Sequence, residues 1–346
     1  MAQSVTSRAA RRRQSKAASK CQQRINRFGR LPAKLWAVFV IYLPPEPSAH
    51  RRGHPIVPFS LVLSGILYRL RTGCQWKAIP AEFGSGSTCH RRFQEWQHLA
   101  VFEKVWAHQL RVYDQKRGIG WNWQSLDSAI IPAPLGGTKT GKNPVDRAKS
   151  GSKRNVLVDR RGVPLAAVIA AANKQDYQCA DETLHHLVIR RAWRDHTGKR
   201  TVLHLCGDKG YDFDEVYAVA RRLGYRTHIA HRRRRGEPLP PPIKGRRHPA
   251  RRWVIERTNS WHNRFRALKI RWEKKMGITK RSFSLPVQLS RPDLWDRLLG
   301  DQLASPVPEC VPLRVRSGPL VQRGSGSMPD FFLSQLTWVV KRPISA

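Results

Sequence analysis

The sequence predicts an α/β protein in which a mixed sheet flanked by helices follows a small helical segment. Three observations support this prediction. Apolar residues recur at helical spacing from Phe59 to Leu70, short strand-like runs alternate with helical ones between Trp121 and Lys275, and three of these runs precede the first helix. At 346 residues, the chain is long enough for one large domain or two ordinary ones.

The charge of the chain indicates a polyanionic partner. Lys and Arg total 64 against 24 Asp and Glu, a net charge of +40, and hydrophobic residues make up 40% of the chain. This composition favours a folded protein with a basic surface over a disordered basic tail. The apolar stretch 35–43 is about half the length that a membrane span requires, and the cysteines show no C-x-x-C pair. We therefore expect a cytoplasmic protein without a membrane span.

Residues 1–34 contain ten Lys or Arg and no acid, which predicts a basic disordered arm. Such an arm can contact phosphates, or it can be a solvated extension without a role.

Residues 35–115 are predicted to be a helical DNA-binding module. The first helix ends at Thr72-Gly73, because glycine is typical of a helix C-terminus. Ser87 or Thr88 can cap a second helix that continues to Trp106 and carries Arg91 and Arg92 as candidate DNA contacts. Two helices joined by a tight segment resemble a helix-turn-helix. A plain helical subdomain with arginines on its solvated face is the alternative.

Residues 120–276 show the element order of a ribonuclease H-like fold: three antiparallel strands, a helix and a parallel strand. The predicted elements are strands at 125–131, 155–159 and 164–169, a helix at 181–193, a strand at 201–206, a helix at 215–223, a strand at 227–230 and a long helix at 251–275.

Two basic segments interrupt this order. The loop 232–247 contains Arg233 and Arg234 and four prolines, which predicts a surface loop that contacts nucleic acid or, alternatively, a solvated insert. The glycine- and lysine-rich segment from Gly136 to Lys153 lacks a phosphate-loop pattern. We interpret it as a flexible loop that faces DNA.

Three acids occur where the predicted fold would bring them together. Asp127 lies on the first strand, Asp208 follows the parallel strand and Glu256 lies near the start of the last helix. Converging carboxylates suit Mg²⁺ or Mn²⁺, and two such ions can promote an in-line phosphoryl displacement. In the structural alternative, Asp127 ends a strand, Asp208 caps a turn and Glu256 pairs with Arg252 or Arg257.

These residues lie in motifs that resemble bacterial insertion-sequence transposases of the "IS five" and "IS four" superfamily, whose catalytic domain carries a DDE triad. The matching motifs are Leu67 to Pro80, Arg91-Arg92-Phe93 with Trp96, Leu126-Asp127-Ser128, Gly207 to Asp212, Trp253 to Trp261 and Arg264 to Leu268. The resemblance covers about residues 35–275.

The resemblance implies that Asp127, Asp208 and Glu256 bind the catalytic metal, two Mg²⁺ or Mn²⁺ ions. It implies cleavage of element ends and strand transfer into target DNA, hence double-stranded DNA partners, a homo-oligomer, a nucleoid-associated location and no small-molecule substrate. Arg252 matches an arginine of the wider family's glutamate motif and is expected to contact phosphate. Lys209, beside the second aspartate, is a further candidate.

The match to the wider family departs at two positions of the glutamate motif. Pro249 stands where the family has a tyrosine, and Asn263 replaces its lysine, with Arg264 adjacent as a candidate substitute. A larger departure is the tail 277–346, which is rich in Pro, Ser and Gly and predicts poor order. Two alternatives to an active transposase therefore stay open: a related metal-dependent nuclease and an inactive DNA-binding remnant.

Overall fold

The computed structural model describes residues 19, 22–23, 25–47, 56–190, 198, 202–232 and 252–274. All of these residues belong to one compact unit, Met1–Ser305. The helical region contains α1 (Ala33–Tyr42), α2 (Phe59–Thr72), α3 (Gly86–His98) and α4 (Val101–Arg117), with 3₁₀ turns at Trp76–Ala78 and Ala81–Phe83. Within these described ranges, no helix is long and apolar enough to cross a membrane.

The ends of the helices follow local backbone chemistry. Gly73 ends α2 at a φ of 71°, as predicted, and its N–H donates to the carbonyl of Arg69. The cap of α3 is Ser85, whose hydroxyl accepts the N–H of Thr88, so the prediction of Ser87 or Thr88 was wrong. The single helix predicted to reach Trp106 is two helices, because Ala100 adopts a left-handed φ of 54° between them.

Two features of the N-terminal region refine the predicted segments. Residues 25–29 of the predicted arm are helical and Ile25 is buried. The connection from Gly73 to Ser85 contains both 3₁₀ turns, whereas the turn of a helix-turn-helix has three or four residues. Phe59 of α2 packs edge-on against Trp96 of α3. The connection between these two helices is therefore longer than the turn of a helix-turn-helix.

The α/β region builds a six-stranded mixed sheet from the described residues. Its strands are β1 (Trp123–Pro132), β2 (Gly141–Lys142), β3 (Ser150–Asp159), β4 (Pro164–Ala171), β5 (Leu203–Gly207) and β6 (Tyr225–Ile229), in the order β2-β3-β1-β5-β6, with β4 also paired to β3. β1, β3 and β4 are antiparallel, and β5 and β6 continue the sheet parallel to β1. The helices are α5 (Asp176–His185), α6 (Asp214–Arg222), α7 (Arg252–His262) and α8 (Arg266–Lys269), with a 3₁₀ turn at Lys209–Tyr211.

Several predicted boundaries were wrong. Strand β3 begins at Ser150, not at residue 155, and Gly141 of β2 pairs with Gly151. The segment 136–153 is therefore partly strand, at Gly141–Lys142 and from Ser150 onward, with turns between them. Lys153 at its end is only 6% exposed. Helix α5 covers Asp176–His185 in place of 181–193, of which residues 191–193 lie outside the described part.

The long helix predicted for 251–275 ends at His262 because the chain after α8 binds to the sheet in an extended form. The N–H of Arg271 donates to the carbonyl of Pro132, at 2.8 Å. Its guanidinium donates to the carbonyl of Thr138 and to the hydroxyl of Ser152, both at 2.7 Å. Arg271 is 2% exposed, so these contacts satisfy a buried cation that a helix would leave without acceptors.

A buried ion pair connects this extended segment to the helical region. Arg69 of α2 binds the carboxylate of Glu273, and the two side chains are 6% and 12% exposed. The guanidinium of Arg69 also lies over the ring of Trp76, at 4.4 Å. Because both charges are withdrawn from water, each one depends on the other.

We expect Glu273→Gln to lower the free energy of unfolding by about 3 kcal/mol, because it leaves the Arg69 cation buried without a counter-ion. The control is Asp181→Asn, which breaks the exposed pair Arg222–Asp181 and should cost less than about 1 kcal/mol. Urea unfolding followed by circular dichroism measures both values. Equal losses of unfolding free energy in the two variants would contradict the interpretation of Arg69–Glu273 as a buried ion pair.

Candidate active site

Parallel pairing of β1 with β5 brings the first two predicted carboxylates together. The register pairs Ser125 with Cys206, and continued by two residues it places Asp127 alongside Asp208. β5 ends at Gly207 while β1 continues. One carboxylate therefore stands on a strand and the other at the open end of its neighbour, as the sequence predicted.

Helix α7 brings Glu256 to the same edge. Val254 and Ile255 pack on Val156 and Val158 of β3 in a buried cluster, so the helix lies across the sheet face. Glu256 follows these two residues and is exposed. Packing of the apolar side of α7 thus turns its carboxylate away from the core.

One arginine joins two members of the triad. The guanidinium of Arg252 lies 3.0 Å from Oδ1 of Asp208 and 3.3 Å from Oε1 of Glu256. Asp208 Oδ1 also accepts the N–H of Lys209 at 2.7 Å. The structural alternatives for Asp208 and Glu256, a turn cap and a pair with Arg252, are therefore both present. A functional interpretation depends on the joint placement of the three acids.

Asp127 is held by residues that the sequence reasoning missed. The side-chain amide of Asn259 donates to Asp127 Oδ2 at 2.9 Å, and the amide oxygen accepts from Arg154 at 3.3 Å. The signal for Asn259 was available, because it follows Glu256 by three residues and therefore shares its helix face. Arg154 gave no such signal, because it lay between the predicted loop, which ended at Lys153, and the predicted strand, which began at residue 155.

The sequence reasoning also missed a carboxylate, Asp176, which lies on the opposite side of β1. Asp176, at the start of α5, accepts hydrogen bonds from the hydroxyl of Ser128 at 2.6 Å and from the ammonium of Lys153 at 2.7 Å. Ser128 and Asp127 are consecutive strand residues and point to opposite faces. Asp176 preceded the predicted helix, so the sequence gave no reason to place it near the triad.

Burial raises the pKa of Asp127 from its ordinary value of 3.8 to about 6. Hydrogen bonds from Ser128 and Asn259 act in the opposite sense, and the negative charges of Asp176 and Asp208 raise the pKa further. Asp127 therefore carries its negative charge at an electrostatic cost that a nearby cation would relieve.

The donor set fits a hard divalent metal ion. All three triad residues offer carboxylate oxygens, the ligands that Mg²⁺ and Mn²⁺ prefer. In the part of the chain that the structure describes, no three His, Cys, Asp or Glu side chains are close enough together to hold a metal ion. Because Arg252 binds both Asp208 and Glu256, its displacement would free two ligands at once.

The candidate DNA-binding residues differ in their surroundings. Three of them are exposed: Lys209, Arg264 and Arg91. Arg92 is engaged within the protein, since it lies 2.6 Å from Glu95 and stacks over Phe59 at 4.9 Å. Arg233 and Arg234 lie outside the described residues.

We expect the free energy of unfolding of Asp127→Asn to exceed that of the wild type by an amount that grows as the pH rises from 4 to 7. The raised pKa means that the native state binds this proton more tightly than the unfolded chain, so wild-type stability falls between pH 3.8 and about pH 6. Asparagine removes the charge and can still accept the hydrogen bond from Asn259 through its amide oxygen. The gain should reach up to about 3 kcal/mol above pH 6.

Urea unfolding in EDTA at several pH values measures this difference. Glu215→Gln removes an exposed carboxylate and controls for the loss of one negative charge. A stability difference between Asp127→Asn and wild type that stays constant across the pH range would refute burial as the cause.

Comparisons with known proteins point to one family. Residues 31–106 match the family described as a transposase of the IS4/5 family (DUF4096), and residues 124–285 match the family described as a transposase DDE domain. The second match and the sheet order confirm the predicted ribonuclease H-like fold class.

Relatives and solved structures give further similarity. The chain is 35% identical over 144 residues to a transposase for insertion sequence element IS402 of Burkholderia cepacia, which covers 41% of this chain and 64% of that protein. It is 35% identical over 118 residues to the "Insertion element IS402 uncharacterized 16.2 kDa protein" of the same organism, 32% of this chain and 78% of that one.

A Mos1 transposase paired-end complex with left transposon end shows 10% identity, covers 74% of this chain and 81% of its own, and has a TM-score of 0.26, too low to support a structural argument. The match to the first IS402 relative spans slightly less than two thirds of that protein's length. The two family matches, taken with the IS402 relatives, confirm the resemblance seen in the sequence motifs: this chain belongs to the IS4/5 family of insertion-sequence transposases with a DDE domain.

Proposed function

We propose that this chain is a DNA transposase that cuts the ends of an insertion sequence and joins them to target DNA. The observation that carries the proposal is the placement of Asp127 on β1 and of Asp208 just after the neighbouring parallel strand β5, with Arg252 in contact with both Asp208 and Glu256. Strand register supports the first two positions, and the shared contact with Arg252 supports the last two. Family membership supplies the reaction class.

In this proposal, the three carboxylates are the ligands of two Mg²⁺ or Mn²⁺ ions. When bound, such ions activate a water molecule or a 3′-hydroxyl and stabilise the leaving oxygen. The protein's own contribution is to fix the carboxylates on a strand, a strand end and a helix, three elements that share a packed core. Rigid support of this kind is what two-metal positioning requires.

Arg252 has two alternative partners in the reaction cycle. In the structure its guanidinium lies against Asp208 and Glu256. If these carboxylates held a metal ion, the guanidinium would be available for a DNA phosphate, which offers the same bidentate oxygen geometry. Two exposed residues would add phosphate contacts: Lys209 beside Asp208, and Arg264 just after α7. Further proposed contacts are Arg91 and Arg92 of α3, Arg233 and Arg234.

The proposed partners are double-stranded DNA, as terminal inverted repeats and as target, and a second copy of the chain. The net charge of +40 supports a polyanionic partner. Pairing of two element ends requires two active sites, which favours a homo-oligomer on DNA. A cytoplasmic, nucleoid-associated location follows from this function.

The proposal predicts that Asp208→Asn slows metal-dependent cutting and joining of end oligonucleotides by roughly 100-fold or more, because one metal ligand is weakened. DNA binding in gel shifts should be retained. Glu215→Gln, an exposed carboxylate on α6, is the matched control and should cut and join like the wild type. Full strand transfer by Asp208→Asn would refute the proposal.

The same assay separates the alternatives. Nicked products without joined ones would identify a nuclease. Salt-sensitive DNA binding without Mg²⁺-dependent or Mn²⁺-dependent cutting would identify an inactive remnant.

We also expect Arg252→Gln to bind Mn²⁺ roughly tenfold more tightly than the wild type in the absence of DNA, since it removes a cation that competes for two ligands. Cutting of DNA should nevertheless slow, because the phosphate contact is lost. Electron paramagnetic resonance of free Mn²⁺ measures the affinity. The exposed Arg221→Gln is the control, and an unchanged affinity in Arg252→Gln would contradict the proposed competition.

A further inference from the structure

Asn259 lies between a buried cation and the first carboxylate of the candidate site. Its amide nitrogen donates to Asp127 Oδ2 at 2.9 Å, and its amide oxygen accepts from the guanidinium of Arg154 at 3.3 Å. Arg154 is 1% exposed and Asn259 is 9% exposed. The three side chains form a chain of hydrogen bonds from the core to the site.

The two neighbours fix the orientation of the amide. A guanidinium only donates hydrogen bonds, and an ionised carboxylate only accepts them. The oxygen of Asn259 must therefore face Arg154 and its nitrogen must face Asp127. In a flipped amide, the NH₂ group would face the donors of Arg154 and the oxygen would face the acceptor oxygen of Asp127. A buried group does not tolerate such contacts, because its hydrogen bonds are lost.

The sheet register explains why Arg154 does not reach Asp127 directly. Asp127 pairs with Val156, and Ala129 pairs with Arg154. Asp127 and Arg154 therefore share a face of the sheet but are diagonal neighbours, some 7–8 Å apart at the backbone. The short amide of Asn259, which descends from α7, fills this gap.

The charge of Arg154 is directed at Asp127. Burial lowers the pKa of Arg154 to about 10, and the Asp127 carboxylate acts against this shift. His262 lies on α7 one turn after Asn259 and is fully buried. Burial lowers the pKa of His262 well below its ordinary value, and the nearby positive charge of Arg154 lowers it further. The Asp127 carboxylate beyond Asn259 is thus an anion that stabilises the buried Arg154 cation.

We propose that Asn259 is a positioning residue for the catalytic carboxylate: oriented by Arg154, it restrains Asp127 through a hydrogen bond to Oδ2 and adds no charge that would compete with a metal ion. This inference rests on the proposed function. Asn259 lies on the helix that carries Glu256, so its hydrogen bond to Asp127 adds a restraint between the elements of the first and third carboxylates.

A neutral amide suits this task better than a direct ion pair. An arginine bound to Asp127 would neutralise the carboxylate and compete with a metal ion, as Arg252 does at Asp208 and Glu256. An amide restrains the oxygen but carries no net charge. Partners of metal ligands outside the coordination sphere act in this way in metalloproteins, and their loss costs about 10–100-fold in metal affinity or activity.

The first test is a Mn²⁺ titration of the full chain followed by electron paramagnetic resonance, with DNA cutting measured in parallel. Asn259→Ala should weaken Mn²⁺ binding by about 10–100-fold and slow cutting, with DNA affinity unchanged. Asn263→Ala, an exposed asparagine at the end of the same helix, should behave as the wild type. Mn²⁺ affinity of Asn259→Ala within twofold of the wild type would overturn the proposal.

A double variant tests whether Arg154 acts through Asn259. Arg154→Met should weaken Mn²⁺ binding in the wild type but cause no further loss in Asn259→Ala. Additive losses of Mn²⁺ affinity would show that Arg154 does not act through Asn259 and would overturn this part of the proposal. If Arg154→Met does not fold, Arg154→Lys keeps a donor and a charge, and the same comparison with Asn259→Ala is made with it.

A metal-free measurement separates this inference from the proposed function. In protein labelled with ¹⁵N at asparagine, the side-chain amide protons of Asn259 should exchange slowly and should shift in Asp127→Asn and in Arg154→Met. Fast exchange, as for Asn263, would overturn the positioning role. Absence of Mn²⁺ binding by the wild type would instead refute the proposed function, while the exchange rate still decides whether Asn259 holds Asp127.

Discussion

The parallel pairing of β1 with β5 is the constraint on which the candidate site depends. β1 is central in the sheet, with antiparallel β3 on one side and parallel β5 on the other. Because β5 ends at Gly207 while β1 continues, the register fixes Asp208 in a turn beside a strand residue, Asp127. A shift by one residue would turn one of these carboxylates to the other face.

Charge balance explains why the site is assembled from so many cations. Burial penalises the Asp127 carboxylate, and two exposed acids lie near it. Arg252 compensates Asp208 and Glu256, while Arg154 contacts Asp127 through Asn259. The two arrangements differ in charge. Arg252 places a cation against Asp208 and Glu256, whereas the group in contact with Asp127 Oδ2 is a neutral amide.

The end of the α/β region shows how side chains can overrule helix propensity. Arg271 supplies donors to three separate segments of the sheet edge, and Glu273 neutralises the buried Arg69 of the helical region. A continuous helix would withdraw these side chains from their partners. Unsatisfied buried charges cost more than a few turns of helix contribute. The extended segment therefore makes stabilising contacts with both the sheet and the N-terminal helices.

The sequence by itself determined the succession of the longer strands, the helix end at Gly73 and the family, because hydrophobic periodicity, glycine conformation and motif spacing are local properties. Only the tertiary structure decided the break at Ala100, the early start of β3, the end of α7 and the surroundings of Asp127. Asn259, Arg154 and Asp176 are distant from Asp127 in the chain, and their contacts arise from strand register and helix packing. No local pattern encodes such contacts, since each depends on where separate elements meet.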